Sequence, residues 1–439
     1  MGSMRLTVQQ LFKEVKTDSE WSFAEYSRAD TTKWTHGYHR YPAKFIPQLV
    51  EKLFDEYLPK SGVRHINDPF FGSGTTIVSA ISRGFRASGT DINSVAYLIA
   101  LAKSTPIDPS LLENKTKKFL VDIKHTSSKS AFLDFHMDNL TEKNLQRIDY
   151  WFPEEKKIEL GRILAIIQKE PDSTIRRFLL TAFSHILKSC SIWLQRSTKP
   201  TRDKTKTPRD PYTLIKYHLK KMVKGNTDFY HQVPEYVRDH INEYLTITLN
   251  DARRQPVEDS SVDLIVTSSP YVTSYEYADL HQLSTLWLGF ADDYREHRQS
   301  FIGSGHRKNS SKNPQSEIAY EIISELGDHH EKTSQEVREF FCDMEEVFRE
   351  SHRILKPDGR CCFVIGNTTL KGVEILNAQA FTESLMLYGF QIDRIIKRRI
   401  PSKILPQTRN KSTGRFSTRK GATLEAYPTE YILIGTKDH

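Results

Sequence analysis

Residues Val262–Tyr271 read V-D-L-I-V-T-S-S-P-Y, and they restrict the fold more than any other stretch of the chain. The apolar run Val262 to Val266 looks like a buried strand. It empties into a short polar loop, Thr267-Ser268-Ser269-Pro270-Tyr271. An apolar run bounded by a turn signal predicts a central parallel strand. Open α/β sheets hold their ligands at the carboxyl ends of such strands. The loop joins hydroxyls, a rigid proline and an aromatic ring, a set suited to holding a flat heterocycle with an amino group.

A second strand-end loop lies far upstream. Asp68-Pro69-Phe70-Phe71-Gly72-Ser73-Gly74-Thr75-Thr76 follows a short strand that ends at Asp68, and a helix is predicted from Thr75 to Arg83. Ala87 to Asp91 reads as the next strand and Val95 to Lys103 as the next helix, completing a β-loop-α-β unit. Glycine lets backbone turn tightly there and approach a ligand closely. The loop lacks the G-K-[ST] ending of a phosphate-binding P-loop and the six-residue dinucleotide fingerprint. Asp91 lies about 20 residues further on, where an acid binds ribose hydroxyls in nucleoside sites. A third acid, Asp251, follows the strand-like Leu245 to Leu249. A single aspartate at such a place is ordinarily a helix cap. Three of them after successive strands, one beside a glycine loop, point to a nucleoside site.

Between these motifs the sheet pattern stops. From Pro109 to about Glu243 the chain reads as mostly helical, as in Lys156 to Gln168 and Thr174 to Trp193. The expected organisation is therefore a cofactor-binding part at 4–108, an inserted helical subdomain at 109–243, and a target-binding part at 244–439. A long helix is predicted from Ser334 to Leu355, then strands at Arg360 to Gly366, Gln391 to Arg398 and Glu430 to Gly435. Ala291 to Glu331 is polar with weak periodicity. Met1-Gly2-Ser3-Met4 reads as a cloning remnant, so the fold is expected to start at Met4.

At 439 residues the chain has ample length to bury a core, and its formal charge of +8 is unevenly spread. Arg394 to Leu424 holds ten lysines and arginines and no acid; smaller basic loops span Arg196 to Arg209 and His306 to Lys312. Their bland reading is solvated surface. Three such loops in one chain favour phosphate contact, with Arg196, Lys199, Arg202, Arg398, Arg399, Lys403, Arg409 and Arg415 as candidates. The four cysteines form no zinc-like pair, and no stretch is apolar enough to cross a bilayer. A reduced, cytoplasmic protein without a metal is expected.

Taken together, Asp68–Thr76, Asp91, Asp251, Thr267–Tyr271 and the run His352–Gly359 resemble the ordered motifs of S-adenosylmethionine-dependent DNA amino-methyltransferases. The S-x-P-Y form is similar to the N4-cytosine branch, since adenine-N6 enzymes mostly carry Asp or Asn in the place of Ser268. The resemblance implies an α/β fold, a Rossmann-like mixed seven-stranded methyltransferase sheet with helices on both faces. It implies a site for S-adenosylmethionine made from Tyr41, Lys44, Phe45, Asp68, Phe70, Gly72, Ser73, Gly74, Thr75, Asp91, Ile92, Asp251, Ala252 and Thr267. Within it Asp91 would hold the ribose hydroxyls, Asp251 the adenine amino group and Lys44 the carboxylate. Ser268, Ser269, Pro270 and Tyr271 would form the catalytic set around a cytosine flipped out of double-stranded DNA. A companion restriction endonuclease is implied as well. Two departures stand out: Ser269 replaces a proline common in relatives, and the cofactor loop precedes the target loop, unlike the permuted order frequent among N4-cytosine enzymes. An adenine-N6 or RNA methyltransferase on the same fold, or an inactive nucleic-acid-binding module, are the alternatives. A carbon-5 cytosine methylase is disfavoured, because the chain has no Pro-Cys pair to supply the nucleophile.

Overall fold

The structure is a computed structural model that describes residues 2–41, 46–60, 62, 64–125, 140–197, 199–272, 277–293, 298–304, 312–400, 408–409, 424–425 and 429–438. Seven strands build one sheet: β1 (His65–Asp68), β2 (Arg86–Asp91), β3 (Leu245–Leu249), β4 (Val262–Ser268), β5 (Leu355–Ile365), β6 (Phe390–Arg399) and β7 (Thr429–Lys437). Their order is β3-β2-β1-β4-β5-β7-β6. The first five run parallel, and β7 is antiparallel to both β5 and β6. This is the expected Rossmann-like mixed methyltransferase sheet. Going outward from the middle, the chain order reverses between β1 and β4, so their carboxyl ends flank a crevice where such sheets bind ligands.

Strand β5 shows why the sheet is central. Cys361, Phe363 and Ile365 enter one apolar core, while Cys362 and Val364 enter the core on the opposite face. Side chains alternate along a strand, so burial on both faces demands apolar residues at every position. The first core is closed by helices at Glu317–Gly327, Glu331–Ile354 and Asn377–Leu387; the second by Pro47–Tyr57, Thr75–Ser82 and Ser94–Ser104. For the site we label α1 (Thr75–Ser82), α2 (Ser94–Ser104), α3 (Ser173–Cys190), α4 (Pro211–Gln232) and α5 (Tyr277–Leu288). Among the described residues between Pro109 and Tyr244, the helices are Pro109–His125, Glu142–Trp151, Glu154–Gln168, α3, α4, Glu235–Asp239 and Ile241–Tyr244. Their core is a third cluster that includes Trp151, Phe178, Phe183 and Trp193, continued by Leu286 and Trp287 of α5. Helix α3 packs on α2, α4 and α5, which joins this bundle to the sheet layers.

Several boundaries differ from the sequence reading. Strand β4 runs on through Thr267 and Ser268, which pair with Phe363 and Val364 of β5, so the polar loop begins at Ser269. The ladder to a long neighbour extends the strand past its apolar run. The helix Glu317–Gly327 lies within the stretch read as aperiodic, capped by the Ser316 hydroxyl on the Ala319 amide. The first helix, Gly2–Glu14, begins two residues before the expected start at Met4. Among the described residues, no helix is long and apolar enough to cross a membrane.

Candidate active site

Because β1, β2, β3 and β4 are parallel, Asp68, Asp91, Asp251 and Ser268 all emerge at one edge of the sheet. They line a single cavity. Its walls are Tyr41, Asp68 to Ser73, Thr75, Asp91, Ile92, Asn250 to Ala252, Ser268, Pro270 and Ser300 to Ile302. The glycine loop and the serine–proline loop therefore face one shared cleft.

The glycine loop is held by contacts that explain its sequence. Gly72 sits at φ +48°, and a Cβ there would lie 3.2 Å from the Tyr41 ring. Its N–H donates to Asp91 Oδ2 at 2.9 Å, while the Asn93 N–H donates to Asp91 Oδ1 at 2.8 Å. Each carboxylate oxygen keeps a further acceptor site. Gly74 has φ +75° and begins α1; a Cβ there would meet Ala100 Cβ of α2 at 2.9 Å. Gly74 thus serves helix packing, and it is absent from the cavity wall. Beneath the loop, the buried Lys103 ammonium of α2 donates to the Ser73 carbonyl. Ser73 is itself buried, and its hydroxyl, with no partner, adds a polar atom to the wall.

Two of the carboxyls are perturbed. Burial pushes Asp68 up to about 7 against the opposing pull of the nearby Thr267 and Thr76 hydroxyls and the Phe70 amide. Asp91 is pushed up to about 6, again chiefly by burial, with the Asn93 and Gly72 amides favouring its ionised form. Desolvation disfavours a charge unless a partner arrives. Asp251 differs. Arg253 forks onto its carboxylate at 3.0 Å and 2.5 Å and reaches Asp343 at 2.6 Å. The acid expected to meet an adenine amino group is thus oriented by a guanidinium that the sequence reading did not single out.

The catalytic set is only partly assembled. Ser268 and Pro270 line the cavity. Ser269 is buried with an unpartnered hydroxyl, and its amide donates to the Val364 carbonyl at 3.2 Å. Tyr271 is half-buried against the sheet core, next to Gly366, and does not line the cavity. Strand β4 carries Ser268 to the wall, while the Tyr271 ring packs on the sheet core beside it. Thr267, placed with the cofactor set, is wholly buried in β4 beside Asp68. Lys44 and Phe45 lie outside the described residues. Ser300, Phe301 and Ile302 were missed, since an aperiodic segment gives no signal of where its backbone will lie. Two histidines are packed: His281 Nδ1 is 2.8 Å from Asn93 Nδ2, and the His352 ring meets Phe390 edge-on.

Of the residues expected to touch DNA, Arg196, Lys199 and Arg202 are exposed on one loop. Arg202 lies 4.3 Å over the Tyr150 ring. The loop is ordered from beneath, for Lys206 donates to the Lys188 and Trp193 carbonyls at 2.7 Å and Lys188 donates to the Ser197 carbonyl at 2.7 Å. Arg398 is corrected: only 4 % exposed, it lies 3.4 Å from Glu430 and over the Phe23 ring, sealed in β6 away from any phosphate. Arg394, from the same basic run, pairs with Asp18 and Glu56. Arg399 is exposed at the end of β6. The Arg409 side chain, Lys403 and Arg415 lie outside the described residues. No cluster of histidine, cysteine or carboxylate side chains among the described residues is arranged to hold a metal ion.

No known family profile matches the chain. Its sequence is 28 % identical over 438 residues to the Type II methyltransferase M.MvaI of Kocuria varians, covering 93 % of each chain. The Type II methyltransferase M.BsoBI of Geobacillus stearothermophilus is 23 % identical over 396 residues, covering 79 % of this chain and 76 % of its own. M.MjaII of Methanocaldococcus jannaschii, another Type II methyltransferase, is 24 % identical, with 61 % of this chain and 64 % of its own matched. The chain is thus similar over nearly its whole length to one Type II methyltransferase and over shorter spans to two more.

Proposed function

We propose that this protein is a site-specific DNA methyltransferase that transfers the methyl group of S-adenosylmethionine to the exocyclic N4 of a cytosine flipped out of duplex DNA. The observation that carries the reading is the shared cavity, in which Gly72 and Asp91 face Ser268 and Pro270. The near full-length similarity to M.MvaI supports it independently. A role beside a restriction endonuclease is proposed as well, supported by the Type II description of all three relatives.

The cavity suits the cofactor. Asp91 keeps acceptor sites for ribose hydroxyls, the unpartnered Ser73 hydroxyl offers another polar contact, and Ile92, Ala252 and Phe70 supply apolar walls for a purine. Asp251, held by Arg253, is proposed to accept the adenine amino hydrogens. Bound there, S-adenosylmethionine supplies an activated methyl group on a sulfonium.

The protein's share of the chemistry is alignment. The amino nitrogen of cytosine is conjugated to its ring, so its lone pair is a weak nucleophile. The Ser268 hydroxyl and a loop carbonyl accept the two amino hydrogens and favour a pyramidal nitrogen. A neutral serine suffices, because the nitrogen sheds its proton only after it is alkylated. Fixed orientation of two reactants is worth about 7–11 kcal/mol over free encounter. Enzymes acting on a duplex base extrude it first, and a cleft open to solvent lets such a base enter. Residues 109–243 are proposed as an inserted subdomain that touches DNA, with 4–108 binding cofactor and 244–439 the target base.

Nucleoside mass spectrometry of unmodified DNA and RNA incubated with the protein and S-adenosylmethionine tests the reading. N4-methylcytosine in DNA is expected. N6-methyladenine as the sole product, or label in RNA alone, would overturn the cytosine assignment.

A further inference from the structure

The segment leading into Tyr41 carries a positive group that the proposed mechanism does not use. Arg40 is exposed immediately before Tyr41, a residue of the cavity wall. Helix α4, of the helical insert, presents the exposed Lys221 to the same region. Between them lie three buried or half-buried histidines. His185 of α3 and His218 of α4 stack with ring centroids 3.8 Å apart and planes 8° from parallel. His39 meets His185 edge-on at 5.5 Å. The stack is anchored at both sides: His218 Nε2 is 2.7 Å from the Tyr38 carbonyl, and His39 Nε2 is 2.9 Å from Ser184 Oγ.

This floor is polar but uncharged. Burial holds His39 down at about 3 and His218 at about 4, and His185 also lies far below its ordinary range. The charges of Arg40 and Lys221 act on both His185 and His218 and lower them further. Two stacked imidazoles 3.8 Å apart would repel if both were protonated, so the neutral state also fits the stacking. The floor therefore positions the two cations without cancelling them.

Among the described residues, no carboxylate pairs with them either. Neither Arg40 nor Lys221 makes an ion pair among the described residues, whereas Lys224, one turn along the same helix, is tied to Asp228 at 2.7 Å. Lys117 on a neighbouring helix is likewise tied to Glu113. The unmatched charge continues through Lys188, which senses Arg40 and holds the basic loop by the Ser197 carbonyl. Uncompensated cations on a rigid base beside a ligand cavity are the arrangement that binds a polyanion and releases its counterions.

We propose that Arg40 and Lys221 form a seat for one backbone phosphate of the substrate DNA, next to the nucleotide whose base enters the cavity. The seat rests on the DNA-methyltransferase reading and adds to it the place where the strand is gripped. Through Lys188, which feels the Arg40 charge and donates to the Ser197 carbonyl, the seat is tied to the base of the exposed Arg196–Arg202 loop. Its contacts are to phosphate and carry no base sequence information.

The test is the salt dependence of duplex DNA binding, measured by fluorescence anisotropy with full-length protein and a fragment of genomic DNA. Replacing both cations in Arg40→Gln/Lys221→Gln is expected to weaken binding and to make the log–log salt slope shallower by about 0.9, the value for one phosphate. Lys221→Gln alone, at an exposed helix position, should weaken binding in the same sense with folding unaffected. Lys117→Gln should match the unaltered protein. Affinity and slope unchanged in both the double and single variants, with DNA still bound by the unaltered protein, would overturn the seat. Failure of the unaltered protein to bind any DNA would instead defeat the underlying methyltransferase reading.

Discussion

At the scale of single residues, two side chains decide whether the cavity does what is proposed. Ser268 reaches the wall because β4 continues two residues past its apolar run. Ser268→Ala should lower turnover by roughly 10²- to 10³-fold, the usual effect of removing one aligned hydrogen-bonding group from a reacting centre. Calorimetry should find cofactor affinity near normal; unchanged turnover would remove the serine from the chemistry. Asp91 gives a pH prediction. Its carboxyl titrates near 6, above the ordinary 3.8, because burial penalises the charge. Ribose hydroxyls donate to the ionised form, so affinity for S-adenosylmethionine should rise with pH through about 6 and level off above 7. Asp91→Asn should flatten that profile, and a profile unaltered by the substitution would refute the assignment. The same shifts act oppositely on the ligand-free fold. Asp68 and Asp91 favour folding fully below 3.8, and that contribution is lost as pH climbs through about 6 and 7. Much of this was legible in the sequence, since a glycine loop and spaced acids name themselves. Arg253 was not: its value comes from Asp343, 90 residues away, which no local pattern records.

At the scale of elements, the α1–α2 contact is the most exacting. Gly74 combines a left-handed backbone with a gap too small for a methyl group against Ala100. Gly74→Ala should cost roughly 1–2 kcal/mol for the backbone alone, with a further loss from separating the helices. Urea denaturation would show the midpoint falling, and a midpoint that held would mean the loop relaxes freely. The strands could be read from the sequence because parallel strands buried on both faces carry apolar runs, as Leu264–Val266 of β4 and Cys361–Ile365 of β5 do. The helix Glu317–Gly327 hid in a polar stretch although Ile318, Ile322 and Leu326 follow helical spacing. Its polar flanks diluted the pattern over any longer window. The basic run after Arg394 misled for a related reason. Composition marked it as surface, but β6 pairs with β7 and seals Arg398 against Glu430.

For the whole molecule, the parallel order of β3, β2, β1 and β4 turns distant motifs into neighbours: Gly72 and Ser268 are far apart in sequence yet leave the sheet at the same edge. The helical insert adds a third core that meets the sheet layers through α3 and α5. A ligand that fills the cavity should stabilise the assembly by mass action, about 2.7 kcal/mol for S-adenosylmethionine at 100 times its Kd. Calorimetric melting at that concentration checks this, and an unshifted transition would contradict binding to the folded state. The most direct measurement is a crystal structure of the complex with S-adenosylhomocysteine and duplex DNA. The expected result has the sulfur against the Gly72 wall and the amino nitrogen of an extruded cytosine about 2.6–3.2 Å from Ser268 Oγ. A cofactor bound at the opposite edge of the sheet, or a base reaching the cavity without touching Ser268, would contradict it.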